Sequence, residues 1–287
     1  MRRKCFKKVF AYCCLMLMVT QLTACNEQHS KTKVEPDSVA TTQVTKPTLP
    51  DSVTKFIHKP PVYDSTKKYV YLTFDDGPQN GTTTVLDICR KEGIKGTFFM
   101  VGLHTDRANK GHELVNEIKN SYPQILLANH SYTHASDRYK YFYQHPQMAF
   151  NDFLQAQQTL AAPYKIIRLP GNSAWVRNNE IKASGLVKPV CKLLDSANYN
   201  VIGWDVEWSF DHKTANPVQS PNKMLEYVEY AFAKNNLHTK NHVVILTHDR
   251  MFRLPEYAKE LQTFITLLKQ KGYVFETIDN YPNLKPF

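Results

Sequence analysis

Seven short apolar or β-branched runs recur in the chain beyond residue 68: Tyr69–Phe74, Thr97–Val101, Ile125–Ala128, Lys165–Arg168, Asn200–Trp204, Val243–Thr247 and Tyr273–Thr277. Each has the length and composition of a buried strand. Helix-like segments lie between them: Thr82–Lys91, His112–Asn120, Gln147–Leu160, Pro221–Ala233 and Pro255–Lys271. Several open with proline or follow one, as a first helical turn prefers. Strand and helix alternating with long crossovers predict parallel strands. Seven such units suit an incomplete (β/α) barrel or an open doubly wound sheet.

The polar residues that follow these runs favour one end. The first run ends in Asp75-Asp76, the third in "NHSYTH" with His130 and His134, and the fourth in "RLPG" from Arg168 to Gly171. The fifth ends in "WDVEW" and the sixth in "LTHD". Five strand ends therefore carry ionisable or turn-forming residues on the C-terminal edge of a parallel sheet, where α/β proteins build their sites.

No one of these pieces decides anything alone. Asp-Gly-Pro is ordinary turn chemistry, and among 11 histidines a pair four apart arises readily by chance. His238 and His242 share that spacing, but they precede the sixth run and so read as solvated loop residues at the wrong end. His130 and His134 fall at the right end. With Asp76 they offer two imidazoles and one carboxylate, the ligand count of a catalytic metal site with open positions.

Composition then sets the context. The formal charge of +10 would suggest a nucleic-acid partner, except that Arg2, Arg3, Lys4, Lys7 and Lys8 supply half of it. Behind them runs the apolar stretch Val9 to Val19, too short for a mature membrane span, so residues 1–24 read as a secretory signal peptide. The remaining charge of about +5 is unremarkable for an extracytoplasmic protein. "LTAC", Leu22 to Cys25, resembles the bacterial lipobox, which implies a lipidated Cys25 and a membrane anchor. Asn26 rather than Asp after that cysteine implies, by the same resemblance, the periplasmic face of the outer membrane. Residues 25–68, rich in Ser, Thr, Pro and Lys, read as a flexible tether to a single domain at 69–287. Of six cysteines, only Cys89 and Cys191 fall within that domain, with no Cys-rich metal cluster.

Taken in order, "TFDDGP", "HSYTH", "RLPG" and "LTH" resemble the motifs of the polysaccharide deacetylases of the NodB-homology type, carbohydrate esterase family 4. The resemblance covers about residues 69 to 280. It implies a distorted (β/α)7 barrel, a divalent metal (Zn2+ first, Co2+ or Ni2+ as alternatives) and removal of N-acetyl groups from GlcNAc polymers. By the same resemblance Asp75 is the general base, Asp76, His130 and His134 are the metal ligands, and Arg168 orients the base. Gly171, where the family usually has Tyr, offers a backbone N–H to the oxyanion. Leu246 lines the acetyl-methyl pocket and His248 is the general acid.

The family's fourth motif is absent. Asp205, Glu207 and Asp211 compete to brace Arg168 or His248, and Asp205 is the choice. Trp175, Trp204 and Trp208 are candidates to stack on sugar rings, as is the segment Tyr139 to Tyr143. The expected partners are an N-acetylated glycan and a membrane, with no nucleic acid and a monomeric chain. The alternatives to an N-deacetylase are an O-acetyl esterase on cell-wall glycans and a non-catalytic glycan-binding lipoprotein.

Overall fold

The computed structural model describes His58 and residues 61–287. The signal peptide, Cys25 and most of the proposed tether lie outside the described residues.

All seven expected strands form: β1 (Tyr69–Asp75), β2 (Gly96–Met100), β3 (Ile125–Asn129), β4 (Ile166–Ile167), β7 (Asn200–Val201), β9 (His242–His248) and β10 (Val274–Phe275). Three more were not anticipated. β5 (Trp175–Arg177) and β6 (Glu180–Lys182) make an antiparallel hairpin at one edge, and β8 (Val206–Glu207) adds to β9. The five expected helices appear as α1 (Thr82–Lys91), α3 (Gly111–Asn120), α5 (Pro146–Leu160), α7 (Pro221–Ala233) and α8 (Pro255–Gln270). The additional helices α2 (Gly102–Arg107), α4 (Tyr139–Gln144) and α6 (Lys188–Ser196) have six to nine residues, too few for a clear 3.6-residue period.

Between β4 and β9 the strands run β4-β3-β2-β1-β9, all parallel, with β10 against the start of β1. The segment after Asn200 shows that this sheet is curled. Ile202 N–H donates to Ile167 O beyond β4, while Asp205 N–H donates to Val244 O beyond β9, both at 2.9 Å. On a flat sheet those outer positions would be about 29 Å apart at roughly 4.8 Å per strand. Three residues of chain reach about 11 Å. The sheet must therefore wrap round until residues 200–207 bridge its two sides, which makes a distorted parallel barrel.

Strand alternation then sorts side chains into inside and outside. Val70, Leu72 and Phe74 of β1 face outward into one large core with α1, α7 and α8. Tyr69 and Tyr71 belong to an inner cluster with Phe99, Leu126, Ala128, Ile166, Ile202 and Val244. The same parity carries upward to Thr73 and Asp75 on β1, His130 after β3, Arg168 after β4, and Leu246 and His248 on β9. A third cluster joins α4, α5 and α6 to β4 and β7.

Two readings of the sequence need correction. His238 and His242 are not solvated. His242 is 5% exposed, stacks on Tyr69 and shares a 2.9 Å hydrogen bond with Tyr71, and His238 stacks on Trp175 at 3.9 Å. Burial pushes both imidazoles down to about 4. Ahead of β1, within the stretch assigned to the tether, Tyr63 packs edge-on against Tyr69 and His242. Cys89 and Cys191 are buried free thiols in separate cores.

Candidate active site

β1 and β9 run in register, Thr73 beside Leu246 and Asp75 beside His248. Asp75 completes the strand. Asp76 leaves it with φ 76°, in the left-handed region, so the second carboxylate turns over the barrel mouth instead of following the strand's alternation. Gly77 must follow: a Cβ there would strike the Asp249 carboxyl and lie 2.7 Å from the Met100 side chain. That carboxyl is fully buried beyond β9 and accepts a short hydrogen bond from Thr82 Oγ1, which ties the 77–82 loop to the barrel rim. Burial, together with Asp76 and Asp75, holds Asp249 well above the usual carboxylate range.

Asp75 Oδ1 receives Arg168 Nη1 at 2.8 Å. The guanidinium is completely buried and otherwise satisfied by Thr73 Oγ1 (2.5 Å), Ile202 O (3.3 Å) and Gly203 O (3.0 Å), with the Phe99 ring 4.3 Å away. Burial lowers its pKa, against the opposing pull of Asp75.

Asp76 Oδ1 lies 3.0 Å from His134 Nε2 and 3.4 Å from His130 Nε2. His130 Nδ1 donates to Arg168 O at 3.0 Å, so in the neutral ring Nε2 carries the lone pair. Asp76 Oδ1 is buried and accepts no well-formed hydrogen bond. With the ring neutral, lone pairs of an imidazole and a carboxylate oxygen thus face each other in a buried site, which is repulsive unless a proton or a metal cation stands between them. One donor atom each from Asp76, His130 and His134 falls within 4.8 Å of the others, and the set fits a divalent metal. Burial alone would raise Asp76, but the two imidazoles and His248 outweigh it and hold the carboxyl well below its ordinary value. His134 shows the reverse: burial lowers it, and Asp76 more than offsets that.

The histidine loop is braced from within the motif and from α5. Asn129 Oδ1 accepts from Ser131 N, Ser131 Oγ accepts from His134 N, and Asp152 of α5 accepts from Tyr132 N and Thr133 Oγ1. His134 to Asp137 all have φ between 46° and 58°, a left-handed run that such bracing must sustain.

His248 faces Asp76 across the mouth, Nε2 at 3.9 Å from Oδ2. Its Nδ1 is buried without a hydrogen-bond partner, and the Phe210 ring packs edge-on at 4.7 Å. Burial lowers its pKa, opposed by Asp76 and Asp75. A cleft of about 730 Å³ opens over these groups, lined by Asp75, Asp76, His130, His134, Gly171, Leu246 and His248. Arg168 lies behind Asp75.

Asp205 is the residue the structure places elsewhere. Its carboxylate accepts from His238 N at 2.6 Å and Val244 N at 2.8 Å, fixing the approach to β9, and it makes no hydrogen bond to Arg168 or His248. Two carbonyls and Thr73 brace the arginine in its stead. Carbonyl partners leave no sequence signal, but Thr73 sits two residues before Asp75 on one strand, and that parity could have found it. Of the three tryptophans only Trp204 lines the cleft; Trp175 stacks on His238, and Trp208 is buried against Phe252 and Phe264. The tyrosine-rich segment is α4, with Phe142 and Tyr143 buried and only Tyr139 reaching the cleft. Gly171 has φ 63°, and a Cβ there would press on the Tyr139 ring at 3.1 Å.

Residues 63–181 match the family model for polysaccharide deacetylase. A chitin disaccharide deacetylase of Vibrio alginolyticus is 27% identical, over 76% of this chain and 72% of its own length. The putative polysaccharide deacetylase YheN of Bacillus subtilis is 29% identical, over 74% and 68%. Among solved structures, a family 4 carbohydrate esterase from Streptomyces lividans superposes with a TM-score of 0.54 at 22% identity, covering 75% of this chain and 95% of that one.

Proposed function

We infer that the chain belongs to the polysaccharide deacetylase family of the NodB-homology type, and that it is a metal-dependent hydrolase removing N-acetyl groups from GlcNAc-containing polysaccharide. The observation that carries this reading is the convergence of Asp75, His248 and the Asp76–His130–His134 donor set on one cleft.

Asp76, His130 and His134 would hold the ion. When bound, such an ion supplies Lewis acidity towards an acetamide carbonyl and a water molecule. Asp75, fixed by Arg168, takes the proton of the attacking water. The Gly171 N–H, which has no hydrogen-bond partner among the described residues, donates to the developing oxyanion. Leu246 closes around the acetyl methyl. His248 Nε2 delivers a proton to the departing nitrogen, without which an amide leaves poorly. Acetate and a free amine on the sugar are the products.

Acetate release tests this directly. The purified protein, loaded in turn with zinc, cobalt and nickel, is given peptidoglycan, chitooligosaccharides and poly-N-acetylglucosamine. Acetate from at least one of them is the expected result; none from any, with metal shown to be bound, would sink the reading. Attachment to the periplasmic face of the outer membrane through Cys25 belongs to the same proposal. Labelled fatty acid should enter the wild-type chain and not Cys25→Ser.

A further inference from the structure

The catalytic cleft continues past His248. A second cavity of about 830 Å³ adjoins it, and the two share Gln79, His212 and Arg250. Their charge differs. Asp75, Asp76, Asp137 and Glu207 line the first, alongside Arg107 and the shared Arg250. The second is lined by Lys213, Arg250 and Arg253 beside His212, with no carboxylate in its wall.

The two arginines are held differently. Arg253 donates to Ala215 O, Thr214 O, Asn216 Oδ1 and Arg250 O, so its guanidinium fixes the loop that shapes the cavity. Arg250 makes no side-chain hydrogen bond and no ion pair among the described residues, and its Nε is buried without a partner. It is nevertheless well placed: the guanidinium lies 4.5 Å from the centre of the Phe210 ring, the same ring that packs edge-on against His248. A cation stacked on an aromatic ring, partly desolvated and making no ion pair, matches a planar or tetrahedral oxyanion better than a neutral hydroxyl.

We propose that this cavity is an anion subsite, in which Arg250, supported by Lys213, binds a carboxylate or phosphate carried by a sugar neighbouring the one deacetylated. The proposal rests on the deacetylase reading for its substrate, but not for its binding test. Arg250 acts as a specificity residue here, outside the reacting atoms.

The experiment compares three oligosaccharides of equal length: neutral N-acetylglucosamine oligomer, the same backbone with lactyl-ether carboxylates on alternate sugars, and a 6-phosphorylated form. Kd is measured on the full chain with and without metal, and kcat and KM on the metal-loaded protein. Wild type should bind at least one anionic form about tenfold more tightly than the neutral one, the size of a charge-assisted hydrogen bond. The preference should appear in KM and not in kcat, and shrink with added salt. Arg250→Gln should remove most of it, Arg250→Lys should restore part, and the exposed Lys213→Gln should weaken it less. Which anionic form is favoured separates carboxylate from phosphate. Equal Kd for neutral and anionic forms in the wild type, or a preference that survives in a folded Arg250→Gln, overturns the subsite. Acetate from every form without an anionic preference leaves the deacetylase standing and removes the subsite; anionic binding without acetate does the opposite.

Discussion

On one wall of the cleft, Asp75 is held by a buried guanidinium that is itself fixed by Thr73 and two carbonyls, and His130 is pinned through Nδ1 to Arg168 O. On the facing wall, His248 turns one nitrogen towards Asp76 at 3.9 Å, while the other is buried with no hydrogen-bond partner among the described residues and Phe210 packs edge-on beside the ring. The proposed base and one proposed ligand, His130, are thus oriented by directional bonds, and the proposed acid by strand register and packing. A base must hold its lone pair on one water, so freedom there is directly lost rate. An acid that acts once the leaving nitrogen has moved towards it tolerates a looser seat, and burial, which outweighs the nearby carboxylates, makes this ring give up its proton more readily.

Mutation can break this contrast, starting where the effect is greatest. Asp76→Ala should abolish acetate release and remove bound metal together, measured by elemental analysis. Asp75→Asn should keep the metal while losing most of the rate. Metal retained by Asp76→Ala would mean that the histidines hold it with some other group. Next, His248→Ala should cost roughly 10²–10⁴ in kcat with metal content unchanged. A loss under about tenfold would point to a leaving group that needs little protonation, as in an ester.

Arg168→Met tests the braced wall itself. It strands the Asp75 charge in a buried site, which should cost about 3–5 kcal/mol and lower the melting temperature on the order of 10 °C. An unchanged melting temperature would show that the pair does not hold this wall. The smallest effect belongs to Thr73→Val, which removes one hydroxyl partner of that guanidinium and its bond to Ile245 O. A loss of about 1–2 kcal/mol in stability is expected, with a fall in kcat and no change in KM. Equal changes in kcat and KM would assign Thr73 to packing alone.

Much of this was legible along the chain because parallel strands carry their chemistry at one end. The seven runs located the strands, and the residues just after them located Asp75, Asp76, His130, His134, Arg168 and His248. Asp205 misled because an acid near the right strand end looks like a brace, whereas its distance from Arg168 depends on how the sheet closes. Asp152, twenty residues from the loop it holds, and Phe210, in an irregular stretch, had no periodicity to betray them.

The sequence by itself determined the parity of each strand, and so which residues face the barrel, because alternation is a local property of the backbone. It also determined the donor types of the candidate metal set. Only the tertiary structure decided which inward residues meet. The curl of the sheet brings β4 and β9 together through residues 200–207, setting Arg168 against Thr73 and His248 across from Asp76. It likewise decided that Arg253 is tied to the chain while Arg250, near the proposed acid, makes no side-chain hydrogen bond among the described residues. Contacts between distant segments follow from closure, and closure is a property of the whole sheet.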